Sequence, residues 1–264
     1  MITASIVTYR TPASEISAVL DTIAASVIDK VYIVDNASEE RMCIAVAPYN
    51  KAVYIPATNR GYGAGHNTAI RRALDNDGTD FHIVMNSDIE FRPEIIGKIE
   101  AFMRANPDVG TLQPLILGPD GENQHTCRLL PAPADVFIRR FLPHGFMQSR
   151  RRRYLLTHLD PSQPHNIPYH QGSFMFLRAA ALRKCGLFDE RFFMYPEDID
   201  LTRRIHREFR TLYWPEVSIV HRHRAASYAS GRMMWIHITN MIKYFNKWGW
   251  FFDPERRRFN APLR

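Results

Sequence analysis

The first half of the chain alternates short apolar runs with helix-length segments, and this limits the fold more than any other feature. Residues 2–8, 31–34, 53–56, 81–85 and 109–112 read as strands. Residues 12–28, 63–74 and 93–104 read as helices, the first with Thr11 as N-cap and Pro12 at its opening position. Strands separated by crossover helices build a parallel sheet covered on both faces. A length of 264 residues permits one large domain, or one domain with an appendage.

The pattern changes after Gln113. Residues 118–121 read as a turn and residues 135–141 as a short helix. Residues 142–168 have no clear period and read as a long, mobile connection over a cleft. Strands at 172–177, 212–214 and 217–220 and helices at 179–184 and 197–209 follow, then an aromatic helical segment over 233–252. Cys43, Cys127 and Cys185 are widely spaced and read as reduced thiols with no zinc site. No signal peptide is expected ahead of the first strand, and no apolar run is long enough to span a bilayer. The formal net charge of +7 favours anionic partners: nucleotide diphosphates, phospholipid head groups or nucleic acid. The arginine clusters at 139–140, 150–153 and 256–258 read as solvated surface, with a membrane-surface role left open.

Residues 186–201 set Asp189, Glu190, Glu197, Asp198 and Asp200 among Leu187, Phe188, Phe192, Phe193 and Tyr195. A core element would not hold so many unpaired acids, because burying them is costly. A solvated face would not hold so many apolar side chains. Acids in an apolar frame point to a cleft that handles protons or cations. Glu197 and Asp198 open a helix after Pro196, where either could take a proton from an attacking hydroxyl. The helix dipole also stabilises acids there and lowers their pKa, so a base would need compensating burial. Asp200, with Arg203 and Arg204 within one turn, reads as a structural ion pair.

Open α/β sheets bind ligands beyond the carboxyl ends of their strands. Asp35 and Asn36 stand at such an end. The carboxylate could meet a ribose or a base there, or Asn36 or Ser38 could merely cap the next helix. Asn59, Gly61, Gly65 and Asn67 lie in a glycine-rich connection that opens a helix, where backbone can approach an anionic ligand closely. Asn86, Asp88 and Glu90 follow the fourth strand. A carboxylate there could hold a divalent cation bridging two phosphates, or cap a loop. His221 ends the last strand, with His223 and Ser227 beyond it, and Gly172 and Ser173 open an earlier one.

In order and spacing these segments resemble family 2 glycosyltransferases, especially the bacterial rhamnosyltransferase-like branch. The matching segments are Gly186 to Glu190 with Glu197 to Leu201, Val34 to Ser38, Asn59 to Asn67, Asn86 to Glu90, Gln171 to Met175 and Gln124 to Pro131. The resemblance runs from Ile2 to about Trp248. It implies a GT-A-like, Rossmann-type α/β fold with a mostly parallel sheet, helices on both faces and a helical C-terminal extension. Residues 1–220 would be the catalytic domain, with a nucleotide-binding half to about 113 and an acceptor-side half after it; 221–264 would be the extension.

The resemblance further implies inverting transfer from a nucleotide-diphosphate sugar, dTDP-L-rhamnose before a UDP-sugar, in bacterial cell-surface polysaccharide synthesis. It assigns Asp198, with Glu197, as the base. Thr8, Asp35, Asn36, Asn59, Gly61, Gly65, Asn67, Asn86, Gly172 and Ser173 would contact the donor, and Asp88, Glu90 and His221 would hold Mn²⁺ or Mg²⁺. The expected partners are the donor and a glycan or polyprenyl-linked acceptor, not nucleic acid. The location would be cytoplasmic, at the inner membrane face if the aromatic segment with Lys243 and Lys247 is interfacial rather than packed on the core. A sugar-nucleotide nucleotidyltransferase ranks lower, because residues 8–12 lack a glycine-rich loop. A non-catalytic binding module is opposed by the presence of both Asp88 and Asp198.

Overall fold

Strands β1 (Ile2–Thr8), β2 (Lys30–Asp35), β3 (Ala52–Pro56) and β4 (Phe81–Met85) form where the apolar runs predict them. The computed structural model describes residues 1–141, 147–222 and 231–264, the side chains of 139–141 apart. His223 and Ser227, and the side chains of Arg139 and Arg140, lie outside the described residues. Strands β5 (Ile89–Glu90), β6 (Val109–Leu117), β7 (His165–Asn166), β8 (Phe174–Arg178) and β9 (Arg210–His221) complete one sheet in the order β3-β2-β1-β4-β8-β6-β9-β5, with β7 on β9. The pairs β1–β2, β1–β4, β2–β3 and β6–β9 are parallel, whereas β8 runs antiparallel to both β4 and β6. The fold is therefore the expected α/β sheet, mixed rather than wholly parallel.

Alternation along each strand divides the core. Ile2, Ala4 and Ile6 of β1, with Phe174 and Phe176 of β8, face α1 (Ala13–Ala24), α2 (Glu40–Val46) and α4 (Glu94–Ala105). Met175 and Leu177 face α3 (Tyr62–Asp75), α7 (Ala179–Cys185) and α8 (Glu197–His206) on the other side. Helices α5 (Pro133–Phe141) and α6 (Gln148–Tyr154) come from the central connection, and α9 (Gly231–Trp248) and α10 (Pro254–Asn260) from the end.

Several expectations are corrected. Helix α1 is capped by the backbone of Pro12, without a side-chain bond from Thr11, and ends at Ala24. The two strands expected over 212–220 are one strand. Pro215 lacks an N–H, and the β6–β9 register shifts there, Pro114 facing Trp214 and Leu115 facing Ser218; the ladder bulges instead of ending. The connection over 142–168 includes α6 and β7, with Arg150 paired to Asp135 at 2.6 Å. Arg203 does not pair with Asp200. It meets Asp253 and Glu255, both at 2.6 Å, and stacks over Trp248 at 4.1 Å. Asp200, fully buried, takes Arg204 at 2.9 Å and Lys247 at 2.5 Å. These pairs lock α8 to the C-terminal helices, and Met241, Tyr244 and Phe245 of α9 pack beside Phe192 and Ile199.

Candidate active site

A cleft of about 640 Å³ opens where the carboxyl ends of β1 and β4 meet the start of α8, and Asn86, Asp88, Gly172, Ser173, Glu197, Asp198 and His221 all line it. Asp198 is held by the N–H of Gly172 at 2.8 Å and that of Ile199 at 2.7 Å. A Cβ on residue 172 would lie 3.3 Å from the Asp198 Cβ, so glycine lets the backbone reach this carboxylate. Burial pushes the Asp198 carboxyl up to about 6, against the pull of those two N–H groups and of Arg128. Desolvation thus outweighs the helix terminus, which is the compensation a base needs there. Glu197 is raised further, by burial first and by Asp198's charge second. Its Oε2 is enclosed without a hydrogen-bond partner. Both carboxyls are raised, so burial and their mutual repulsion oppose a second negative charge on the pair.

On the opposite wall, Gln124 donates to the His221 carbonyl at 2.8 Å, which turns its Oε1 to the ring Nδ1 at 3.2 Å. The ring Nδ1 therefore faces the Gln124 oxygen, and Nε2 lies 3.4 Å from Asp88 Oδ1. A carboxylate oxygen and an imidazole nitrogen this close could hold a divalent cation between them. Glu90 does not join them. It sits on edge strand β5, exposed, and pairs with Arg222 at 2.5 Å. Among the described residues no three His, Cys, Asp or Glu side chains converge on one point.

The remaining predicted residues stand behind the wall. Asp35 stands at the end of β2 and is fully buried. It accepts hydrogen bonds from Thr8 Oγ1, Ala37 N, Glu39 N and Tyr54 OH at 2.7–3.2 Å. Asp35, rather than Asn36 or Ser38, therefore closes the turn before α2. Replacing it with alanine unpairs buried donors, and Asp35→Ala should cost about 2–4 kcal/mol of stability. Urea denaturation measures this; a change under about 0.5 kcal/mol would mean that those contacts contribute nothing. Asn36 keeps its Oδ1 buried and unpartnered.

The glycines pack against protein. A Cβ on Gly61, at φ 106°, would lie 2.2 Å from the Phe193 carbonyl oxygen, and one on Gly65 2.8 Å from Val7. Asn59 accepts from the Gly61 N–H at 3.2 Å. Asn67 bonds both the N–H and the carbonyl of Phe188, at 3.0 and 2.9 Å. This connection therefore clamps the loop before α8, which sets the height of Glu197 and Asp198.

Sequence reasoning missed several lining groups. The Tyr62 hydroxyl lies 2.8 Å from Asn86 Oδ1 and 2.7 Å from the Gly172 carbonyl, tying the two walls together. Met233, His237 and Met241 reach the cleft from α9 at a four-residue interval, and the His237 ring meets that of Tyr195 edge-on at 4.9 Å. Tyr195 holds φ 95°, a strained value for a non-glycine residue, directly before Pro196. Arg128 also lines the cleft; its segment was singled out only by resemblance.

The sheet, its helices and the cleft at the strand ends are GT-A-like, and the chain is a glycosyltransferase. It belongs to glycosyl transferase family 2, whose profile matches residues 3–186. It is 30% identical over 233 residues to the N-acetylglucosaminyl-diphospho-decaprenol L-rhamnosyltransferase of Mycobacterium tuberculosis, covering 83% of this chain and 73% of that protein. A mannosyltransferase from Pyrobaculum calidifontis, solved with GDP-Man and Mn²⁺, superposes with a TM-score of 0.62 at 18% identity, over 98% of this chain and 68% of that one. GalNAc-T7 with UDP, GalNAc and Mn²⁺ gives 0.61 at 12% identity, over 85% of this chain and 43% of that one. The two structural likenesses bear on the fold alone.

Proposed function

We propose that this glycosyltransferase inverts the anomeric centre of a nucleotide-diphosphate sugar, dTDP-L-rhamnose, as it passes the sugar to a polyprenyl-linked glycan in cell-surface polysaccharide synthesis. The observation that carries the reading is Asp198: a buried carboxylate fixed by two backbone N–H groups in a cleft. It accepts the acceptor's hydroxyl proton as that oxygen attacks the anomeric carbon, and no covalent intermediate is needed. Glu197 beside it stays protonated and keeps the pair from doubling its negative charge. Asn86, Gly172 and Ser173 face the donor sugar. Asp88 and His221 would hold Mn²⁺ or Mg²⁺, which when bound offsets charge on the departing diphosphate.

The donor and acceptor follow the mycobacterial relative, whose name specifies L-rhamnose and a decaprenyl diphosphate. A UDP-sugar is the second reading. Work at the inner membrane face is supported by Trp235, Phe251 and Phe252, which are 65%, 81% and 81% exposed. Among the described residues no helix is long and apolar enough to cross a membrane.

The test is a pH profile. The base must be ionised, so kcat/KM should rise about tenfold per pH unit below about 5 and level off above about 7, turning near the raised Asp198 value. A profile flat between pH 4.5 and 7.5, to use about that window, would remove Asp198 from the proton transfer.

A further inference from the structure

Arg128 feels the charge of Asp198 across the cleft but makes no direct salt bridge to a carboxylate among the described residues. It lines the cleft, its Nε is enclosed with no hydrogen-bond partner, and one Nη donates to the Tyr169 hydroxyl at 3.3 Å. Asp198, the carboxylate whose charge acts on Arg128, is held by two backbone N–H groups, and Asp135, which also lines the cleft, pairs with Arg150. The side chain is nevertheless held in place. Residues 128 and 169 form a β-bridge, and the guanidinium lies over the Tyr169 ring, 5.6 Å from its centroid. Burial opposes its charge, and Tyr169, Tyr154 and Asp198 favour it.

Removing a charge from water without a partner destabilises a fold. A guanidinium so placed, rigid and facing the hollow, is organised for an anion that arrives later. Its planar fork suits a phosphoryl group better than a lone carboxylate, because it can donate two parallel N–H bonds. We propose that Arg128 is the anchor of a phosphoryl-binding site in this cleft. The proposal rests on the reading of the cleft as the transfer site. It adds a cation supplied by the protein itself, apart from Asp88 and His221. Two substrates could bring the phosphoryl group: the donor, as its nucleoside diphosphate leaves, or a lipid-diphosphate acceptor.

The experiment uses the full chain and Arg128→Met, which keeps the apolar stem and removes the charge. Thermal denaturation without ligand comes first. The melting temperature should stay within about 5 °C, because the guanidinium donates one side-chain hydrogen bond, to Tyr169. A melting temperature well below that of the unsubstituted protein would make the guanidinium a structural element and overturn the proposal. Calorimetric titration of dTDP, UDP, pyrophosphate and farnesyl diphosphate follows. At least one affinity should fall about tenfold or more, the usual range for a lost charge-assisted bond. Loss with dTDP or UDP assigns the site to the donor; loss with farnesyl diphosphate alone assigns it to the acceptor. Equal binding of all four by both proteins overturns the proposal and leaves the glycosyltransferase reading standing. If the unsubstituted protein binds none of them, the proposal and the donor reading both fail.

Discussion

Asp198→Asn should retain the fold and lose turnover by roughly 10²–10⁴-fold, the usual contribution of a positioned general base. That is about 3–5 kcal/mol of transition-state stabilisation. Asn keeps the size and accepts the Gly172 N–H as Asp198 does, but it cannot take a proton. Donor affinity should hardly move, because the assignment is to the acceptor side. Stability separates this outcome from simple damage. The Asp198 carboxyl is raised in the folded protein, so its ionised form costs stability that is absent below the unfolded pKa near 4 and grows as pH rises through about 6. Asp198→Asn should therefore unfold at an equal or higher denaturant concentration at pH 7 to 8, about where that cost is fully present. Glu197→Gln is the matched control. Glu197 is the more strongly raised member of the pair, so its amide should be milder. A dead Glu197→Gln beside an active Asp198→Asn would reverse the roles.

Asp88→Asn should reduce turnover by about 10²-fold or more and weaken Mn²⁺ binding in the presence of nucleoside diphosphate, since it weakens one of two side chains placed to hold the cation. His221→Ala should give a smaller loss of the same kind. Glu90→Gln should do neither, because Glu90 is exposed on its edge strand and paired with Arg222. Turnover indifferent to chelator and to Asp88→Asn would contradict the cation site and leave Arg128 as the neutralising charge.

The sheet was legible because its strands are continuous apolar runs closed by polar residues, as Phe81 to Met85 is before Asn86. Short elements were not. Helix α2 buries only Met42 and Val46, one i, i+4 pair, too little to show a period. Helix α6 is mostly arginine, so no apolar stripe announces it. Glu197, Asp198, Asp88 and His221, singled out at strand and helix ends, line one cleft. Asp35 and Asn67 show the limit. A polar side chain at a strand end or in the first turns of a helix looks the same in sequence whether it faces a ligand or satisfies buried backbone, and here both bond the protein. The glycines' need for close approach was legible, and the atoms nearest Gly61 and Gly65 belong to Phe193 and Val7. Arg128 and Tyr62 were obscure because their value comes from residues more than forty positions away, at Tyr169 and Gly172.

The central claim is single-step transfer from a nucleotide-diphosphate sugar with Asp198 as base. It is tested most directly by the anomeric configuration of the product formed from dTDP-L-rhamnose and a polyprenyl diphosphate-linked N-acetylglucosamine. The one-bond C1–H1 coupling of that product, read by NMR, reports the configuration. The account predicts acceptor-dependent release of dTDP and a rhamnosyl linkage inverted relative to the donor. A retained configuration, or no transfer from dTDP-L-rhamnose or from any UDP- or GDP-sugar, would contradict it.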